Sequence, residues 1–478
     1  MDADNNEEFA PATMPPMPPE AEAEAEAAPA PKKQRHMSLA EARKRLPIVD
    51  SLPTAKTRAV NLADIDRRPV PRYTVWELTL ACDHRCLHCG PRAGEARPDE
   101  LTLDECLQMV DEMAELGVGE VALIGGEAYM RGDHILVIRA LREKGISVLL
   151  VTGGLGITAE RAAAMKEAGL RSVSISIDGM EKSHDYVRGR EGSWTSAFRA
   201  WDHLKAAGIP VAVNTQINAF SYKELEDLAE EIGKRGSHAW QIQVTIPHGN
   251  GADHPEIVLQ PHMMKTVYEY LEPAINRAEK YGVRILPGNN LGYFGPLESR
   301  LRRLQNKMGA FPGCGAGRSA MGIESDGQIK ACPTLGGPTN LAGSWREHGL
   351  AKLWHEAKEI TYFRTRTVDD LWGYCRRCYY AEQCMGGCSA TSEPLFGRPG
   401  NNPFCYHRVD MLEREGLRER IELVVPAEDI PFGTARFKLI TEPIDEAERA
   451  RGERTTVELP RVDRNEVQHG PAYPMTLE

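Results

Sequence analysis

Three cysteines in eight residues, Cys82, Cys86 and Cys89 in the pattern C-x3-C-x2-C, constrain this chain more than any other stretch. Three thiolates this close, with no fourth at matching distance, suit an iron–sulfur cluster that keeps one iron free. A closed tetrahedral zinc site wants a fourth ligand nearby. The open iron is then where chemistry happens. The chain has 11 cysteines, and a long sequence without a secretory signal uses such residues as metal ligands rather than as a disulfide framework. Seven lie between positions 314 and 405. Cys106, at helical spacing with Leu103, Leu107 and Val110, reads as a small buried hydrophobe instead.

With 478 residues, 41% hydrophobic and 27% charged, the chain has the composition of a folded protein with one large domain and one or two smaller ones. The net charge of −11 provides no basic footprint, which argues against nucleic acid or an anionic membrane as partner. No apolar run approaches the roughly 18 residues of a membrane span, and a cytoplasmic protein is expected.

Residues 1–36, rich in Ala, Pro and Glu, read as a disordered tail, because they hold too little apolar surface to offset their ordering entropy. Residues 37–72 form a lead-in. From residue 73 a strand-then-helix rhythm repeats, as expected of parallel β/α units with right-handed crossovers. Strands are expected at 75–80, 120–124, 147–151, 172–177, 210–217 and 239–245. Helices follow at 101–116, 133–144, 158–168, 193–207, 221–235 and 262–281. Six units make an α/β fold, a partial (β/α)6 barrel over 73–285, open on one side. In such barrels functional groups sit after the carboxyl ends of the strands. The cysteine loop, Gly125-Gly126-Glu127, Thr152-Gly153-Gly154, Ser176 with Asp178-Gly179, and Asn214 with Gln216 all fall there. Taken singly, each glycine pair could be a plain turn; their joint placement after consecutive strands points to a site.

These residues resemble the radical S-adenosylmethionine (SAM) superfamily, whose signature is the C-x3-C-x2-C loop followed by a Gly-Gly-Glu strand end. The resemblance implies that Cys82, Cys86 and Cys89 bind a 4Fe-4S cluster whose fourth iron chelates the methionine moiety of SAM. It implies that Gly125, Gly126 and Glu127 hold the methionine amino group, that His88 lies near the adenine, and that Ser176, Asp178 and Arg188 serve the ribose and carboxylate. A reduced cluster would then break a C–S bond and form a 5′-deoxyadenosyl radical, the protein's part being to position the reactants and exclude water.

The later cysteines read C-x12-G-x4-C (Cys314, Gly327, Cys332), then C-x2-C-x5-C-x3-C (Cys375, Cys378, Cys384, Cys388), with Cys405 beyond. A lone C-x2-C would suggest zinc, but seven cysteines do not divide into four-ligand sites. The set resembles the SPASM extension of radical SAM enzymes, a small irregular cysteine-rich domain placed here at 286–410. By that resemblance Cys375, Cys378, Cys384 and Cys405 enclose one auxiliary 4Fe-4S cluster, and Cys314, Cys332 and Cys388 hold a second, also of 4Fe-4S type. Relatives with an eighth cysteine carry it shortly before the first of this set. The stretch 302–313 has none here, leaving an open iron, a non-cysteine ligand or a smaller cluster. The extension 411–478 is expected to hold a charged helix, two strands (421–425 and 435–440) and a polar tail.

SPASM enzymes commonly modify ribosomally made peptides, so the leading expectation is a side-chain cross-link or oxidation on a precursor peptide or protein. An electron donor such as flavodoxin or ferredoxin would serve it. No leader-binding domain precedes residue 73, so leader recognition would need a separate protein or a different surface. The alternatives are a small-molecule substrate such as a tetrapyrrole or cofactor precursor, and a non-catalytic electron-transfer protein. Asp253, His254 and His248 are candidate proton acceptors that read more simply as a loop.

Overall fold

Thr102 starts the first long helix by a capping box, its side chain accepting from the Glu105 N–H while the Glu105 carboxylate accepts from the Thr102 N–H. That helix, Leu103–Leu116, buries Cys106, Met109, Val110 and Met113 on one stripe and ends at Gly117 in the left-handed region. Cys106 is 1% exposed, in the apolar role expected of it. The same logic repeats along the chain: short apolar strands alternate with amphipathic helices that bury one face against them.

The structure, a computed structural model, describes residues 69–302, 311, 313–452 and 454–460. These lie in one compact unit, Ala59–Glu478. The tail 1–36, most of the lead-in, the end of the polar tail and most of the cysteine-free stretch before Cys314 lie outside the described residues.

Seven parallel strands run in order: β1 (Tyr73–Thr79), β2 (Glu120–Gly125), β3 (Ser147–Thr152), β4 (Ser172–Ser176), β5 (Val211–Ile217), β6 (Ala239–Val244) and β7 (Arg284–Pro287). Six match the expected strands within two residues at either end. β7 was not anticipated, since four residues ending in proline carry almost no periodic signal. On the far side of β1 the sheet continues through β8 (Ala320–Ile323), parallel to β1, and then β9 (Gln328–Lys330) and β10 (Leu341–Ser344). The cysteine-rich segment is therefore built onto the barrel's own sheet.

The pairing of β1 with β2 slips between Glu77 and Thr79, a bulge that re-aims the chain into the cysteine loop. The expected helices are found as Leu103–Leu116, His134–Glu143, Ala159–Glu167, Ser193–Ala206, Leu225–Lys234 and Met264–Lys280, with a further one at Glu181–Arg188. The helix Tyr406–Arg414 runs from the cysteine-rich segment into the C-terminal extension, which has an antiparallel sheet of β11 (Leu417–Val425), β12 (Arg436–Pro443) and β13 (Thr456–Glu458). Among the described residues no helix is long and apolar enough to cross a membrane.

Candidate active site

A cavity of about 470 Å³ opens inside the barrel at the carboxyl ends of its strands. Cys82, Cys86, Cys89, His88, Gly125, Gly126, Glu127, Ser176, Asp178 and Arg188 all line it. The cysteine loop is held by main-chain bonds: Cys82 N–H to the Gly94 carbonyl at 3.0 Å, and Leu87 N–H to Val187 at 2.9 Å. The Asn250 amide donates to the Cys86 carbonyl at 3.0 Å. Burial pushes the Cys82 and Cys89 thiols up to about 12 and raises Cys86 as well. A desolvated thiol keeps its proton unless a cation replaces it, so the set is a donor set for metal and a poor nucleophile without one.

Gly126 and Glu127 form a strap across the end of β1, donating to the carbonyls of Thr79 (2.8 Å) and Ala81 (2.7 Å). A Cβ on Gly125 would lie 2.1 Å from the Thr79 oxygen, and one on Gly126 2.1 Å from the Ala81 oxygen. Only glycine allows this approach, which leaves bare backbone facing the cavity. The Glu127 carboxyl accepts from the Thr152 hydroxyl and the Gly153 N–H, both at 2.6 Å. Burial outweighs these bonds and pushes Glu127 up to about 8.

Asp178 is fully buried; Arg188 Nε lies 2.9 Å and His88 Nε2 3.6 Å from its Oδ2. Its Oδ1 accepts from the Gln216 N–H at 2.9 Å. Burial alone would raise Asp178, but Arg188 and His88 hold it below its usual range. Both carboxylate oxygens thus face protein groups, and Asp178 orients Arg188. His88 is pushed down to about 4 by burial and is a neutral ring at pH 7. Ser176, at the end of β4, pairs across to Asn214.

The later cysteines divide between two places. Cys314, Cys332 and Cys388 line the large cavity, so both three-cysteine sets border one space. Burial takes Cys332 to about 11 and Cys388 to about 12. Cys375, Cys378, Cys384 and Cys405 instead surround a separate cavity of about 20 Å³, with Phe294, Tyr380 and Arg408. Phe294 and Tyr380 stack with centroids 3.8 Å apart, and Arg408 is tied to Glu419 by two bonds of 2.6 and 2.7 Å. Cys384 and Cys388 are only four residues apart. The residues between them include Met385, Gly386 and Gly387 at φ 52, 73 and 70°, and this left-handed run turns the chain so that the two thiols serve different cavities.

His248 also lines the large cavity, while Asp253 pairs with Arg92 and His254 with Glu256. Residues that sequence reasoning missed are Gln241, Gln243, Lys330 and Phe432. The two glutamines carried a signal, since they alternate with Trp240, Ile242 and Val244 along β6. Phe363 is 8% exposed and also meets the cavity. Phe432 comes from the C-terminal extension, its N–H donating to the Gly90 carbonyl at 2.9 Å; no local pattern announces it.

An open parallel barrel whose strand ends converge on sets of buried thiols defines an iron–sulfur enzyme of α/β type. Residues 76–232 match the family model for the radical SAM superfamily, and residues 314–379 that for the SPASM iron–sulfur cluster-binding domain. The chain belongs to the radical SAM superfamily, within its SPASM-bearing branch, and is an enzyme that works with S-adenosylmethionine and iron–sulfur clusters. It is 31% identical to the mycofactocin maturase MftC of Mycobacterium ulcerans, over 68% of this chain and 86% of that one. It is 28% identical to the PqqA peptide cyclase of Ruegeria pomeroyi (73% and 92% covered). The AdoMet-dependent heme synthase of Nitratidesulfovibrio vulgaris is also 28% identical (72% and 94%). The fold recurs in SuiB of Streptococcus suis, at TM-score 0.55 and 16% identity, covering 72% of this chain and 78% of that one.

Proposed function

We propose that this enzyme abstracts hydrogen from a ribosomally made peptide or protein and leaves a side-chain cross-link or an oxidised side chain. The observation that carries the reading is the single cavity bordered by Cys82, Cys86 and Cys89 on one side and by Cys314, Cys332 and Cys388 on another. In this reading the first set holds the SAM-binding 4Fe-4S cluster. Cys375, Cys378, Cys384 and Cys405 hold one auxiliary cluster, and Cys314, Cys332 and Cys388 the other. When bound, these groups supply a hydrogen-abstracting 5′-deoxyadenosyl radical and an electron sink for the same space.

The chain's own residues bind, orient and exclude water. The Gly125-Gly126 strap offers bare backbone, Glu127 fixes the turn at Gly153, and Asp178 aims Arg188. Among the described residues the Arg and Lys side chains that line the cavity are Arg188 and Lys330, and each is matched, by Asp178 at 2.9 Å and by Glu324 at 2.9 Å. Such a space suits an uncharged chain segment better than a macrocycle carrying several carboxylates. The peptide cyclase and maturase among the relatives support the same choice. The heme synthase favours the second reading, a tetrapyrrole or similar cofactor precursor. A reductant such as flavodoxin or ferredoxin, and a separate leader-binding protein, complete the proposed system.

The test is anaerobic incubation of the reconstituted enzyme with SAM, reductant and the product of a short open reading frame beside its gene. Loss of two hydrogens from that peptide, with 5′-deoxyadenosine formed, is the expected result. An unmodified peptide together with turnover of a tetrapyrrole would select the second reading.

A further inference from the structure

The cavity wall built by β5 and β6 differs from the rest. On β1 to β3 the lining positions mix Val75, Ala122, Ile124 and Val151 with Tyr73, Glu77 and Thr152, and none is a carboxamide. On β5 and β6 they are four carboxamides, Asn214 and Gln216, then Gln241 and Gln243, with Val244 at the end of β6. The alternate residues, Val213, Thr215 and Ile217 on β5 and Trp240, Ile242 and Val244 on β6, are buried. Period two therefore sends every amide inward. The register pairs Asn214 with Gln241 and Gln216 with Gln243, so the four side chains form a two-by-two block.

None of these four side chains has a hydrogen-bond partner among the described residues, and the Asn214 Oδ1 is buried without one. Each amide offers two donors and one acceptor. Four unmatched amides in one patch of a cavity wall call for a partner that enters the cavity. Nearby, Asn290 shows what such a group does with extended backbone: its Oδ1 accepts from the Val244 N–H at 3.1 Å and its Nδ2 donates to the Val244 carbonyl at 2.6 Å. Asn290 thus serves both main-chain groups of one residue, as Gln side chains elsewhere on the wall are free to do.

We infer that Asn214, Gln216, Gln241 and Gln243 form a docking wall for the main chain of an extended, uncharged peptide segment, each amide pairing with a peptide group of the substrate. The inference rests on the peptide reading above and deepens it. Recognition through the main chain fixes how far the substrate's side chains reach toward the cysteine loop, with little regard to their identity. Gln241 and Gln243 carry the sharper test, because β5 adjoins the Asp178–Arg188 pair and β6 stands one strand further away.

The experiment compares reconstituted wild-type enzyme with the double variant Gln241→Met, Gln243→Met, which keeps shape and removes hydrogen bonding. The probes are a pool of acetylated, amidated peptides of uncharged residues, the same pool N-methylated along its backbone, and a porphyrin tetracarboxylate. Retention on the protein is read by mass spectrometry, with iron per chain and melting temperature as controls for folding. Wild type should prefer the unmethylated pool by about tenfold, the value of one or two hydrogen bonds, and the variant should lose that preference at unchanged iron content. If the variant keeps the preference, the amide wall is not the docking site, while the peptide reading stands. Retention of the porphyrin and not of peptides would remove both. If wild type retains neither, the wall has no affinity for uncharged main chain and the inference fails, while modification of the natural precursor remains the separate test of function.

Discussion

The hydroxyl of Tyr293 accepts a hydrogen bond from the backbone N–H of Cys388 at 3.0 Å. Tyr293 is fully buried, sits in the left-handed region at φ 77°, and accepts at its own carbonyl from the His407 N–H at 3.3 Å. His407 lies two residues beyond Cys405. One residue therefore ties the segment leaving the barrel to both later cysteine sets, and a strained backbone is retained where that tie is made.

Replacing Tyr293 with Phe should leave the Cys388 N–H without a partner. A buried orphan donor costs about 1–3 kcal/mol. Denaturant unfolding of the apoprotein should report that loss, and reconstituted protein should carry less iron per chain.

Gly126→Ala places a methyl group 2.1 Å from the Ala81 oxygen, and neither backbone can yield without moving the cysteine loop. The expected outcome is loss of SAM cleavage, measured as 5′-deoxyadenosine. Retained cleavage would show that the strap is not the binding element.

Cys82→Ala, Cys86→Ala and Cys89→Ala should each abolish SAM cleavage. Cys384→Ala should lower iron content by one cluster and impair product formation while leaving some cleavage. Equal loss of both in Cys384→Ala would mean that its site serves folding, since metal bound there is folding free energy.

Glu127 supplies a pH test on the apoprotein. Its carboxyl titrates near 8 in the folded state against an ordinary 4.5, so folding takes up a proton between those values. Stability contributed by this group is then lost as pH rises from about 4.5 through 8, at up to about 1.4 kcal/mol per unit. Glu127→Gln should flatten that slope; equal slopes in the two proteins would place the titration elsewhere.

Asp178→Asn leaves Arg188 buried beside a neutral amide. Breaking one side of a buried pair costs about 3–5 kcal/mol, whereas removing both charges costs less. The double variant with Arg188→Met should therefore be more stable than Asp178→Asn alone in urea unfolding.

Much of the barrel was legible because its strands and helices carry strong period-2 and period-3.6 patterns, as in Val211–Ile217 and Leu225–Lys234. The helix Glu181–Arg188 was missed: it is short and strongly polar, burying only His184, Val187 and Arg188. Strands β8 to β10 are three or four residues each, too brief for a period to show. Gly125-Gly126-Glu127 and the cysteine loop could be paired from the chain alone because both follow strand ends. Gln241 and Gln243 were visible as inward positions yet invited no chemistry until their lack of partners was known.

By itself the sequence determined the donor types, their spacing and the parallel barrel that collects them, since these follow from local pattern and from the rule that strand ends carry function. The tertiary structure alone decided that Cys314, Cys332 and Cys388 share a space with Cys82, Cys86 and Cys89. Left-handed backbone at Met385, Gly386 and Gly387 sends Cys388 into the cavity of Cys82, Cys86 and Cys89 and leaves Cys384 outside it. Spacing along a chain specifies reach, but the direction a side chain faces depends on backbone handedness and on packing against residues far away in sequence.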